Sequence, residues 1–169
     1  MMQSWQSPRP KIEIARSALE KALQLAGWLV LIAMIVFISV KWGGLPQRMP
    51  THFNLRGEPD GWGSRWTLWI LPAISALLFI GLNQLSRVPH VFNYPVAITE
   101  QNAAFQYTVA RQLLAWINFE ITVMFAYISW TIVNAAKSGG VGGAWDILII
   151  VGVLFVTIGI YLTRAIRGR

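Results

Sequence analysis

Three residues in one short stretch, His52, Glu58 and Asp60, carry side chains able to bind a metal or move a proton. An imidazole with two carboxylates is a donor set that zinc or a harder divalent cation accepts. The same groups do acid–base work only when they meet in a defined geometry, which spacing does not set. The plainer reading is that His52 and Asp60 hydrogen-bond the backbone around them and hold a loop in shape. The trio is therefore a weak metal candidate, and no cofactor is expected. Ser64 lies nearby as a hydroxyl nucleophile, yet it has no second histidine on its side to act as base. A lipid-headgroup enzyme is the least favoured reading, and the chain is expected to be non-enzymatic.

Glu120 is the second residue of interest, because it stands inside a long apolar run with Asn118 close by. A carboxylate at membrane depth costs a few kcal/mol or more, so it usually faces other helices and finds a partner. Asn83, Gln84, Arg87 and Arg164 are the expected partners. An interhelical hydrogen bond is the default reading, and a proton or cation site in a small accessory transporter is the alternative.

These residues must be placed by apolar segments. Of 169 residues, 55% are hydrophobic and only 12% are charged, about half the charged share of an ordinary soluble domain. Four runs stand out, at about 22–40, 66–82, 113–133 and 145–163. The first, at about 1.5 Å per residue, is roughly 28 Å long, close to the hydrocarbon thickness of a bilayer. It is too long for a signal-peptide core and is followed by Lys41-Trp42, so it reads as a retained span. Pro72 is expected to kink the second span. Thr99 is a plausible cap for a third helix whose extension, 99–112, precedes its span. The fold class is thus an all-α integral membrane bundle of four helices, a single domain over 1–169, with a structured extracytoplasmic loop between the first two.

Charge places the ends. Lys and Arg number nine on the side of the termini and five on the other, which puts both termini in the cytoplasm of a plasma-membrane protein. The net charge of +7 matches anionic lipid better than nucleic acid, for which no soluble basic face exists. The absence of cysteine removes disulfides and thiol chemistry. Ser138-Gly139-Gly140-Val141-Gly142-Gly143 reads as a flexible connection, since it lacks the Lys-Ser/Thr ending of a phosphate loop. Ala22, Ala26 and Ala33 share one face of the first helix, as Gly152 and Gly159 do on the fourth. Internal packing is preferred there over a homodimer seam.

The loop 44–65 is the most distinctive segment. Its prolines favour extended backbone before His52, and Pro59-Asp60-Gly61 is expected to turn, with glycine at a positive dihedral. Trp62 would anchor it at the membrane face. The run Leu45-Pro46, Pro50-Thr51-His52-Phe53-Asn54, Gly57 and Pro59-Asp60-Gly61-Trp62-Gly63-Ser64-Arg65 resembles the signature of the domain of unknown function 1648 family, with Arg65 where Lys is usual. Asn93-Tyr94-Pro95, Ile98-Thr99, Asn102 and Gln106-Tyr107 also resemble stand-alone members, so the resemblance covers roughly 44–113. It extends to the N-terminal part of membrane immunity proteins against the sporulation-delaying toxin, which carry a further membrane domain. For stand-alone members the resemblance carries over no biochemical activity. Because the distinctive residues concentrate in one exposed, shaped loop, where binding residues commonly lie, the expected function is a sensor, immunity-type or envelope-binding module that meets a peptide, lipid or membrane-protein partner. Pro50, His52, Phe53, Asn54, Gly57, Pro59, Asp60, Gly61 and Trp62 form the expected binding surface.

Overall fold

The computed structural model describes residues 9–138 and 144–168. Among the described residues four helices are long and apolar enough to cross a bilayer and one small hairpin is present, and the protein is an all-α membrane bundle. The connection at 139–143 lies outside the described residues.

Helix α1 spans Ala18–Lys41. Ser17 caps it: its hydroxyl accepts from the Glu20 amide, and Glu20 accepts from the Ser17 amide. Such reciprocity satisfies two otherwise orphaned backbone donors. Leu23, Gly27, Leu31, Met34 and Ile38 are buried, and their spacing of three and four draws one stripe along the helix. That stripe corrects the expected alanine face, because Ala22 and Ala33 are exposed. Gly27 is the small residue that matters. A Cβ there would lie 2.3 Å from the Phe79 ring, so only glycine lets the second helix approach.

After α1 the chain forms strands β1, Arg48–Phe53, and β2, Pro59–Ser64, paired antiparallel. A short 3-10 turn over Arg65–Trp69 then leads into α2, Ile70–Leu85. Pro72 is the third residue of α2, inside the first turn, where an amide has no helical acceptor to lose. It lies at the start of the helix, directly after the 3-10 entry, so the helical hydrogen bond whose loss was expected to kink the span is not there to be lost.

Helix α3, Ala103–Ser138, is the spine and touches each of the other three. Its first helical residue is 103, not 99. The expected Thr99 cap is made in the turn just before it: Thr99 and Asn102 exchange side-chain-to-amide hydrogen bonds, and the Ala103 amide donates to the Thr99 carbonyl. At about 1.5 Å per residue it is some 54 Å long, well beyond the hydrocarbon core, so it tilts or projects. Helix α4, Ala144–Arg167, leans on α3 and presents most of its surface outward. Gly152 and Gly159 lie on that outward surface with open space around them, which corrects the internal-packing expectation.

The main core cluster joins α1 (Leu31, Met34, Ile38), the hairpin region (Leu45, Met49), Leu68 and Val133 of α3. The hairpin is therefore bolted into one end of the bundle. The termini and the α2–α3 connection occupy the other end.

Candidate recognition hairpin

The hairpin pairs Met49 with Gly63, Pro50 with Trp62, His52 with Gly61 and Phe53 with Pro59. The register slips on either side of His52, with Thr51 the extra residue on β1 before it and Asp60 the extra residue on β2 after it, and each bulge bends its strand. Gly61 and Gly63 answer this bend. A Cβ on Gly61 would meet the His52 Cβ at 2.9 Å, and one on Gly63 would meet Thr51 Cγ2 at 2.8 Å. Close cross-strand approach, not a positive dihedral, is why glycine stands there.

The turn itself corrects the expectation at 59–61. It runs through 54–58 and uses Gly57, with φ at 78°, as its left-handed residue. Asn54 organises it. Its Oδ1 accepts from the Arg56 and Glu58 amides at 2.8 and 3.0 Å, while its Nδ2 donates to Glu58 Oε2 at 2.9 Å. An Asx turn of this kind lets one side chain replace several backbone bonds. Pro59 then begins β2, where a missing amide is tolerated at a strand start or sheet edge.

His52 Nδ1 and Asp60 Oδ1 lie 2.5 Å apart across the strands, both largely exposed. Glu58 is turned to Asn54 instead, and among the described residues no three His, Asp or Glu side chains form a group able to hold a metal. Of the expected surface, Pro50 is buried and Phe53, Gly57 and Pro59 are partly or fully covered, whereas His52, Asp60 and Trp62 are exposed. His90 lies beyond the far end of α2 from His52.

An aromatic group secures the strand-to-helix junction. Trp42 packs against Trp66 and Trp69, and the Arg65 guanidinium lies 4.8 Å from the Trp42 ring centre. A guanidinium stacks on indole well, which gives Arg65 a physical use at this position.

The polar groups in the spans separate into two places. Glu120 is buried and its Oε1 accepts from the Thr157 hydroxyl of α4 at 2.6 Å. Thr157 is its partner, in place of the expected Asn83, Gln84, Arg87 or Arg164. Asn118 and Asn83 instead both donate to the Phe79 carbonyl, at 3.1 and 2.8 Å. Glu120 thus addresses α4 while the two amides address α2.

The opposite end of the bundle holds an ion pair that sequence reasoning passed over. Arg111 is buried against Glu20, with Nε and one terminal nitrogen each 2.8 Å from Oε1. Its other terminal nitrogen donates to the Ile14 carbonyl at 2.6 Å. The Ser17-x-x-Glu20 cap was the available signal for Glu20; nothing local marks its partner. The Tyr107 hydroxyl donates to the Pro10 carbonyl, and Gln106 Nε2 donates to the Ala165 and Gly168 carbonyls. Tyr94 donates to the Pro89 carbonyl. Burial pushes its phenol well above the usual tyrosine range, Tyr107 adds to the rise and Arg9 opposes it, so it remains a neutral donor. Residues 9–16 are in this way strapped across the end of the bundle.

The hairpin, with the parts of α1 and α2 next to it, also matches a family model. Residues 29–76 match the family model Domain of unknown function (DUF1648). The matched segment runs from α1 through the hairpin into α2; Asn93 to Tyr107 lie beyond it. A protein of Archaeoglobus fulgidus described as uncharacterized is 26% identical over 133 residues, covering 70% of this chain and 73% of its own. No solved structure matches the chain.

Proposed function

We propose that the DUF1648 hairpin is a non-enzymatic recognition module on the outer face of the plasma membrane, of the sensor, immunity or envelope-binding type. One observation carries this reading. The hairpin is fixed to the bundle through buried Leu45, Met49 and Pro50, while His52, Asp60 and Trp62 are held outward on a turn that Asn54 organises. A rigid scaffold presenting polar and aromatic side chains is the usual design of a binding surface. The nine-to-five distribution of Lys and Arg supports an outer hairpin and cytoplasmic termini.

Single cysteines at Ser64 and Gln101, introduced into this cysteine-free chain, test the placement in intact cells. An impermeant maleimide is expected to label Ser64→Cys and not Gln101→Cys; the reverse pattern turns the hairpin inward and ends the outer-face reading. The recognition role is tested by His52→Ala, Asn54→Ala and Asp60→Ala together, read by affinity capture of crosslinked membrane partners. Unchanged capture and an unchanged deletion phenotype would sink it.

The transporter alternative rests on Glu120, whose Oε2 is buried with no hydrogen bond among the described residues. Proteoliposome flux abolished by Glu120→Gln would favour it over the recognition reading.

A further inference from the structure

A cleft of about 480 Å³ separates the hairpin from the helices beside it. Its volume lies within the roughly 300–1,000 Å³ that small-molecule sites occupy. One wall is hairpin residues 51–55; the other is made by Ile128 and Ile132 of α3 and Ile147 and Leu148 of α4, with Trp145 at the rim. Leu55 and Trp145 are 89% and 75% exposed, leaving two large apolar side chains uncovered on either side of the opening.

We propose that this cleft seats the acyl chain of a membrane lipid, with the lipid headgroup meeting His52 and Asn54. The site deepens the recognition reading above and rests on it. Continuity decides the occupant. Leu148 is 56% and its neighbour Ile149 64% exposed, and both belong to the apolar surface that α4 presents to the bilayer. Leu148 thus belongs both to the cleft wall and to the lipid-facing belt, with Thr131 the polar residue among the helical lining, and a chain can slide in sideways from the membrane. An apolar chain in an apolar cleft is stabilised relative to water. Relative to the bilayer that stabilisation vanishes, because lipid is already apolar. Selectivity must then come from shape and from the polar rim.

The rim is built for that task. Thr51, His52 and Asn54 border the cleft. His52 Nδ1 is committed to Asp60, which leaves Nε2 as the nitrogen for a headgroup oxygen. Asn54 holds the turn that sets this distance.

The full chain, reconstituted in vesicles of phosphatidylethanolamine and phosphatidylglycerol, would be irradiated with a phosphatidylglycerol carrying a diazirine in its acyl chain. Crosslinks are expected to concentrate on 51–55 and 128–132 over the outward-facing surface around Phe155. Ile132→Trp, which fills the cleft, is expected to lower that labelling about tenfold, equivalent to about 1.4 kcal/mol. Leu148→Trp narrows the mouth from the other wall and is expected to act in the same direction. Phe155→Trp is expected to leave it unchanged, and helicity by circular dichroism confirms that each variant is folded.

Even labelling around the whole belt would mean annular lipid only and would overturn the proposal. So would cleft labelling that both filling variants leave intact, or labelling of the cleft by a diazirine-bearing hydrophobic peptide in place of the lipid. Silent hairpin substitutions combined with cleft-specific labelling would remove the recognition role but keep the site. Even labelling with active hairpin substitutions would do the opposite.

Discussion

Replacing Arg111 by methionine would remove both nitrogens that Glu20 Oε1 accepts from and the donor that holds the Ile14 carbonyl. Glu20 would keep its bonds from the Ser17 amide and hydroxyl but would face a buried space with no counter-charge. At an effective dielectric of about 20, two charges about 4 Å apart attract by roughly 4 kcal/mol. Breaking one side of a buried pair costs about 3–5 kcal/mol, because the survivor stays desolvated. Arg111→Met is therefore expected to destabilise the bundle by about 3–5 kcal/mol. Glu20→Gln with Arg111→Met is expected to recover a large part of that, since no lone charge remains. The assay is unfolding in mixed micelles followed by circular dichroism. Trypsin cleavage after Lys11 and Arg16 serves as a local readout, because the strap loses its hold on Arg111. An Arg111→Met protein within about 1 kcal/mol of wild type, or a double variant as unstable as the single, would refute the buried-pair argument.

Gly27→Ala drives a methyl into the Phe79 ring and should cost about 1–3 kcal/mol, whereas Gly81→Ala meets open space and should be neutral or gain up to about 1 kcal/mol; unfolding midpoints compare the two. Thr157→Val leaves Glu120 without its donor and is expected to destabilise by about 0.6 kcal/mol, the average for interhelical hydrogen bonds in lipid, and by no more than about 1.7 kcal/mol, measured in the same micelles. Arg65→Ala should expose Trp42 and loosen the hairpin junction by about 0.5–2 kcal/mol through the lost cation–π contact, while Arg65→Lys retains the charge and most of the stability; protease sensitivity of the 54–58 turn reads the difference.

Composition alone sufficed for the membrane class and the four spans, because a bilayer demands an unbroken apolar length that shows in one dimension. That the loop is compact and held in one shape was legible too, since its prolines, glycines and Asn54 are local punctuation. Its form was less so. Gly57, not Gly61, takes the positive dihedral, because Asn54 captures the amides of Arg56 and Glu58 and closes the turn before Pro59. Likewise the small residues of α1 looked like one alanine face, yet the buried stripe passes through Gly27, where Phe79 of α2 presses in.

What tertiary structure alone decided is which polar group meets which. Glu120 and Asn118 are two residues apart in sequence but point to different helices, Glu120 to Thr157 and Asn118 to the Phe79 carbonyl. A two-residue step on a helix turns the side chain by about 200°, and only the positions of α2 and α4 around α3 say what each side finds. Glu20 and Arg111 are 91 residues apart. Ser17 marked Glu20 as a cap residue within a single turn of chain, but an ion pair of that separation exists only because α1 and α3 pack side by side.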